Sequence, residues 1–411
     1  MENILTYTIT PHIIIMKTNL NEFRKYIAQI SEIDNIILDP QSTEGIWVYT
    51  TDGKKYMDML SGICVGNIGH KNPNVVQAIE KQLQDYLHVM VYGEYMQKPQ
   101  LDYIKRLKEF LPKELEQIFY VNSGSEAIEG AIKTAKLFNH RKEIITYKNS
   151  YHGSTLACVS MISGKEFREP FAPLLPYCNH IEFNKEEDLL KISEETCCVV
   201  AECVAVGDGV QVPKNNYLKK LRKRCTEMGA VLILDEIQTG FGRTGSLFAF
   251  EQYDIIPDIL CIAKAMGGGL PIGAFIGKKE MMDKLNNHHP LIGHATTYGG
   301  NPVCLASALA TLNCIVDNNL LKDVDKKGEL YRQKLKHKHI ERVEGIGLFN
   351  AIYLKKDIDW KKALISCFEQ GIITGTHLFN SYALSIKPPL IITEEEINQS
   401  IAKILQALDK I

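Results

Sequence analysis

The chain lacks a charge bias: 47 Lys and Arg against 49 Asp and Glu in 411 residues leave a formal net charge of -2, and no stretch concentrates one sign. That excludes the electrostatic footprint expected of a nucleic-acid or anionic-membrane partner. It also lacks a membrane-spanning run near its start. The apolar stretch Ile13–Met16 is too short, with no basic leader and no small-residue cleavage site, so no export signal is visible and a cytoplasmic protein is expected. Met16–Lys17 opens the first polar helical pattern, which sets Met16 beside Met1 as a candidate start. Among the 11 cysteines there is no CxxC pair, and most sit in apolar runs such as Cys197–Val200 and Leu260–Ile262. Buried reduced thiols are therefore expected, not disulfides or a metal site. Internal repeats and low-complexity segments are absent too.

What is present is enough apolar material, 45% of the residues, to bury a large core, and a length that suggests two or three domains. A helix is expected over Leu20–Ser31. Strand pieces follow at Gly45–Tyr49 and Tyr56–Met59 with Asp52–Gly53 as the turn between them. From about Asn74 to Asn318, apolar runs at Ile118–Val121, Ile144–Tyr147, Cys198–Ala201, Val231–Leu234 and Ile259–Ile262 alternate with helical stretches. In the helix Tyr217–Met228, for example, Leu218, Leu221, Cys225 and Met228 form one face and Lys and Arg the other. Such alternation predicts an α/β fold, a mostly parallel sheet sandwiched by helices. Beyond Leu320 a polar helix, a strand at Leu348–Leu354, a helix at Trp360–Glu369 and a strand at Ala383–Ile386 predict a small α+β domain. The expected division is an N-terminal segment, 1–60, contributing to the small domain; a large domain, 61–320; and the C-terminal small domain, 321–411.

Ligands of open parallel sheets bind beyond the carboxyl ends of the strands, so polar residues directly after apolar runs carry the functional signal. Val231–Leu234 runs into Asp235–Glu236, and Ile259–Ile262 into Ala263–Lys264 and the glycines 267–269. A carboxylate and an ammonium thus reach one sheet edge. A third junction, Phe119–Val121 into Asn122–Glu126, opens a helix running to about Phe138. Ser123 and Glu126 have capping-box spacing, and Gly124 leaves the first N–H groups uncovered, which suits a phosphate. Alone, a capping box is common in helices that bind nothing, and Asp235 with Lys264 could be an ordinary ion pair. Together, an anion pocket, a carboxylate and an amine are what pyridoxal 5'-phosphate (PLP) requires.

Five blocks carry a family resemblance: Asn122–Ala135 (NSGSEAIEGAIKTA), Asn149–Thr155 (NSYHGST), Leu234–Gly245 (LDEIQTGFGRTG), Ala263–Ala274 (AKAMGGGLPIGA) and Thr296–Pro302 (TTYGGNP). With the earlier Gly62–Asn74 they resemble the signature blocks of the class-III, or omega-amino-acid, aminotransferases of the acetylornithine and ornithine type, in order, from Gly45 onward. The resemblance implies the fold type I PLP-dependent transferase fold and amino transfer from an amine or omega-amino acid to a 2-oxo acid. It implies that Lys264 forms the Schiff base with PLP and Asp235 pairs with the pyridine nitrogen. It further implies that Ser123, Gly124 and Ser125 cradle the phosphate, Tyr151 stacks on the ring, Gln238 contacts the ring hydroxyl and Thr297 reaches the phosphate of a neighbouring subunit's cofactor in a homodimer. Glu202, at the end of the strand before Asp235's, is expected either to shape the cofactor's surroundings or to be structural.

The chain departs from the family at the substrate end. The family often carries an arginine after the YHG block and another before the C-terminal PPL; here these positions read Ser154 and Ser385. A glutamate that often partners the second arginine reads Gly207. Serine cannot reproduce the planar fork of a guanidinium. Lys387, two residues beyond Ser385 and on its face if the strand continues, could supply the missing cation, or be solvated beside Pro388. Other reactions of the same fold, an aminomutase, racemase or decarboxylase, use the same lysine and aspartate and stay open at this level. A catalytically inactive binding protein would leave the joint presence of Lys264, Asp235 and the glycine-rich loop unexplained.

Overall fold

The computed structural model describes residues 22–28, 38–91, 95–286 and 294–411. The expected helix at Leu20–Ser31 falls partly outside these residues; 22–26 are helical. The candidate start at Met16 lies outside them.

Strands β1 (Pro40–Glu44), β2 (Trp47–Thr50) and β3 (Lys55–Asp58) form an antiparallel meander. Gly53, at φ +78°, turns the chain between β2 and β3, as the Asp52–Gly53 signal predicted. The central sheet contains β4 (Gln117–Val121), β5 (Glu143–Tyr147), β6 (Cys178–Ile181), β7 (Thr196–Ala201), β8 (Val231–Asp235), β9 (Ile259–Ile262) and β10 (Gly273–Gly277), in the order β4-β10-β9-β8-β7-β5-β6. Only β10 runs antiparallel to its neighbours.

Period-two alternation sorts the strand residues onto two faces. Val199, Leu232, Leu234, Leu260 and Ile262 pack with Leu218, Leu221 and Cys225 of one helix and Leu305, Leu312 and Ile315 of another. Their neighbours Cys198, Val200, Val231, Ile233, Ile259 and Cys261 pack on the opposite face with Ile128, Ala131, Ile132 and Ala135. The helices concerned are α1 (Gly124–Asn139), α2 (Tyr217–Met228) and α3 (Pro302–Asp317). This is the expected sandwich. Continuously buried strands such as β8, with every residue buried, follow from being covered on both sides. Gly130 lets α1 approach closely, since a Cβ there would lie 2.3 Å from the Phe275 ring.

Toward the C-terminus, β11 (Ile340–Ile346), β12 (Phe349–Leu354), β14 (Thr376–His377) and β15 (Asn380–Ile386) make an antiparallel sheet of order β11-β12-β15-β14. The two-residue β13 (Ile372–Ile373) instead extends the N-terminal meander by pairing parallel to β3. Accordingly Ile46, Met57 and Met59 share one core with Leu348, Ile352, Leu384 and Ile386. Strands β1, β6, β10, β11, β13 and β14 were not anticipated. β10 begins and ends in glycine, and β6 is only half apolar, so neither presents a readable run. No single described helix is long and apolar enough to cross a membrane. All 11 cysteines are free and all but Cys178 and Cys304 are buried.

Candidate active site

Because β8 and β9 are adjacent and parallel, their ends deliver Asp235 and Lys264 to one edge, and β4 delivers Ser123 to the same edge. There the three ends enclose a cavity of about 400 Å³ whose walls include Ser123, Gly124, Ser125, Tyr151, Glu202, Asp235, Gln238 and Lys264. Eight of the nine sequence-predicted positions are thus brought together. The ninth, Thr297, is exposed outside the cavity in the segment before α3.

Asp235 is 6% exposed and held at both oxygens. Oδ1 accepts the Ile237 N–H at 3.0 Å and Oδ2 accepts from His152 Nδ1 at 2.7 Å. His152 is buried as well, with Nε2 2.9 Å from Thr146 Oγ1. Ser150 donates to the Tyr147 carbonyl and therefore accepts from Thr146 at 3.0 Å, which leaves the Thr146 oxygen to accept from His152. Both imidazole nitrogens then donate, which is the cationic form. Burial opposes that charge, but the hydrogen bond and charge of Asp235, with Glu202 behind, outweigh it and raise the His152 pKa. Sequence reasoning missed this role, although His152 stands inside the quoted NSYHGST block. Glu236, next to Asp235, points away: its carboxylate accepts from Thr239 and from the Phe250 N–H.

Lys264 opens a single 3-10 turn, Lys264–Gly267, with φ +47°, a left-handed conformation that costs a non-glycine residue strain. The turn is held from behind by α3, where Ser307 Oγ donates to the Gly267 carbonyl at 2.6 Å. A Cβ on Gly268 would fall 2.2 Å from Thr311 Oγ1. The glycine flank therefore seats the lysine turn on α3, while Gly269 lines the cavity. Burial lowers the Lys264 pKa, with Cys64, Asp235 and Glu202 opposing, so a larger fraction of its amine is neutral than in water.

Ser123 caps α1, its Oγ accepting from the Glu126 N–H at 3.2 Å. The capping box is only half formed: Glu126 reaches past Ser123 to the Asn122 N–H at 2.6 Å and to Asn122 Nδ2 at 3.0 Å. Gly124 sits where a Cβ would be 2.8 Å from Ile237, which lets the helix start close on the loop after β8, and Gly153 where one would be 2.1 Å from Ser125 Oγ, which lets the YHG loop close on the helix start. Tyr151 stands at the mouth, its hydroxyl 2.6 Å from Ser154 Oγ.

Two buried polar atoms on the cavity wall, Gln238 Oε1 and Glu202 Oε2, have no protein partner. Burial raises the Glu202 carboxyl to about 8, and it is kept from rising further mainly by His152. A cavity with a helix start at one end, a fixed carboxylate, a desolvated amine and unpartnered polar atoms fits a phosphorylated aromatic aldehyde such as PLP.

At the position where the family often carries an arginine, Ser385 Oγ lies 3.0 Å from His377 Nε2, while His377 Nδ1 donates to the Val206 carbonyl at 2.6 Å. Burial, reinforced by the charge of Lys387, pushes His377 down to about 3, so it is neutral and Ser385 donates to it. β15 ends at Ile386, so Lys387 does not continue the strand as sequence reasoning required, yet it is buried rather than solvated.

Comparison with known proteins places this geometry. The sequence profile described as Aminotransferase class-III matches residues 28–408. The acetylornithine aminotransferase of Clostridium acetobutylicum is 37% identical over 87% of this chain and 93% of its own length. The putrescine aminotransferase of Pectobacterium atrosepticum is 36% identical over 88% of this chain and 80% of its own. The ornithine aminotransferase of Toxoplasma gondii, in a structure described with partial occupancy of PLP at its active site, superposes with a TM-score of 0.86 and 26% identity over 95% of this chain and 94% of its own. With the anion cradle, the carboxylate and the lysine at one sheet edge, the chain belongs to the class-III aminotransferases and is a PLP-dependent aminotransferase.

Proposed function

We propose that this enzyme takes the amino group of an amine or omega-amino acid and passes it to a 2-oxo acid, using Lys264 and Asp235 as its catalytic pair. The observation that carries this reading is the convergence of β8, β9 and the start of α1 on one cavity. When bound, PLP supplies an electron sink for the carbanion left as the substrate's C–H proton departs. Lys264 holds the cofactor covalently through its amine. Made less basic by burial, the free Lys264 amine would take the proton from the substrate's reacting carbon and return it. Asp235, fixed by His152 and the Ile237 amide, would pair with the ring nitrogen and keep it protonated. Ser123, Gly124 and Ser125 would hold the phosphate with the α1 N-terminus, Tyr151 would cover the ring, and the unpartnered Gln238 Oε1 would accept from the ring hydroxyl. Glu202, with its raised pKa, presents a carboxyl to the same space.

The working unit is a homodimer in which Thr297 reaches the neighbouring subunit's phosphate. Its exposure outside its own cavity supports this. The division into a large domain, 61–320, and a small domain built from 1–60 and 321–411 is supported by the pairing of β13 with β3 and by their shared core.

The test is a half-reaction screen on the PLP-loaded protein with candidate amines and amino acids added singly. Loss of the cofactor's visible band, restored by a 2-oxo acid, is expected. A band that no donor alters would overturn amino transfer, and no band in the presence of added PLP would overturn the role of Lys264.

A further inference from the structure

A second cavity, of about 530 Å³, lies between the loop that follows β7 and the C-terminal sheet, and it shares no lining residue with the cofactor's. The loop holds its tip still. Ala205 and Gln211 exchange backbone hydrogen bonds of 3.1 and 2.9 Å that close it into a hairpin. The C-terminal sheet grips that hairpin: the Phe379 N–H donates to the Gly207 carbonyl at 2.9 Å, and the Val210 N–H donates to Tyr353 Oη at 3.0 Å. Gly209, at φ +105°, makes room for this contact, since a Cβ there would lie 2.0 Å from the same hydroxyl. Asp208, between the two glycines, is thereby fixed on the cavity wall.

The charges of this lining are unequally answered. Arg342 lies over the Tyr353 ring, 3.7 Å from its centre, and pairs with Glu341 and Glu344. Arg332 pairs with Glu329 and donates to Asn350 Oδ1 at 2.8 Å. Two lining charges are left. Asp208 is half-buried and is held by the Asn380 amide, with no ion pair among the described residues. Burial raises its carboxyl pKa, and Asn380 and the charges of Lys356 and Arg342 oppose that rise. Lys214 is exposed, its backbone N–H fixed at 2.8 Å by Asn184 Oδ1, and its ammonium has no ion-pair or hydrogen-bond partner among the described residues. Val212 and Val343 line the same space. Its volume lies within the roughly 300–1,000 Å³ of small-molecule sites.

We propose that this cavity is a second binding site that takes a small zwitterion with an apolar body, of the free amino acid type, its ammonium on Asp208 and its carboxylate on Lys214. A ligand of one sign would satisfy one of these groups and leave the other without a partner. An occupant ties the C-terminal sheet to a loop that leaves β7 through Glu202, on the wall of the cofactor's cavity.

The test is a calorimetric titration of the PLP-loaded enzyme with N,N-dimethylleucine, a zwitterion whose tertiary amine forms no Schiff base. Binding that leaves the cofactor's visible band unchanged is expected. Asp208→Asn and Lys214→Met should each weaken it about ten-fold or more, the loss of one charge-assisted contact. Both variants should keep the wild-type thermal midpoint and half-reaction, since neither residue lines the cofactor's cavity. The carboxylate 4-methylpentanoate, which lacks the ammonium, should bind wild type about ten-fold more weakly than the zwitterion and lose nothing further in Asp208→Asn. No binding of the zwitterion by wild type, undiminished binding in either variant, or equal affinity for the zwitterion and the carboxylate would overturn the proposal. The heat of binding is read without chemistry, so its failure leaves the amino-transfer reading standing, and a failed half-reaction leaves this site standing.

Discussion

On the cofactor cavity's wall the Asp235 carboxylate has protein partners at both oxygens, whereas the ammonium of Lys387, buried against Phe349 outside that wall, has no hydrogen-bond or ion-pair partner among the described residues. Asp235 is backed by an imidazolium, itself backed by Thr146, Ser150 and the Tyr147 carbonyl. Lys387 lies over the Phe349 ring, while Arg243 donates to the Leu348 and Pro388 carbonyls. A chain of satisfied hydrogen bonds fixes one group in one protonation state, as a cofactor common to many reactions demands.

The contrast can be broken at its strongest point first. Lys264→Ala should reduce single-turnover amino transfer roughly 10⁴-fold or more and remove the cofactor's visible band, because both the covalent anchor and the proton carrier go. Asp235→Asn should cost about 10²–10³-fold in the same measurement, since a preorganised charge at the ring nitrogen is lost while the fold is kept. His152→Ala strikes the support rather than the site: it leaves Asp235 buried with one partner fewer and should cost about 3 kcal/mol in urea unfolding. Gly207→Ala forces a methyl against the Asn149 carbonyl and should cost about 1–3 kcal/mol in that assay.

The smallest effect sharpens the comparison through pH. Glu202 has its pKa raised from an ordinary 4.5 to about 8 by burial, so between these values the folded state holds a proton that the unfolded chain has released. Stability from this group is complete below about 4.5 and is lost as pH rises toward about 8. Glu202→Gln should therefore flatten that decline, the variant gaining on wild type as pH rises, read from urea midpoints across the range. Identical pH profiles would mean that Glu202 is ionised in the folded protein.

The cofactor end was legible from the chain because each of its groups follows directly on a readable element. Asp235 and Lys264 end continuous apolar runs, Ser123 opens an amphipathic helix, and the parallel order of β8 and β9 then places them together. His152 was not recognised because its partner Asp235 is 83 residues away and nothing local marks a histidine that will become an imidazolium. Strand β10 escaped because its terminal glycines leave only three apolar residues between them, too few to stand out as a run.

By itself, then, the sequence determined the layered, mostly parallel sheet and which polar residues, Asp235, Lys264 and Ser123 among them, directly follow its apolar strands, because periodicity and chain continuity act over a few residues. Only the tertiary structure decided which charges are partnered. Ser385 meets His377 across a hairpin, Gly207 lies against Asn149, and Lys387 is buried beside Phe349 although its strand has ended. Burial, and with it the pKa of every such group, is a property of what distant segments bring, and no local pattern encodes it.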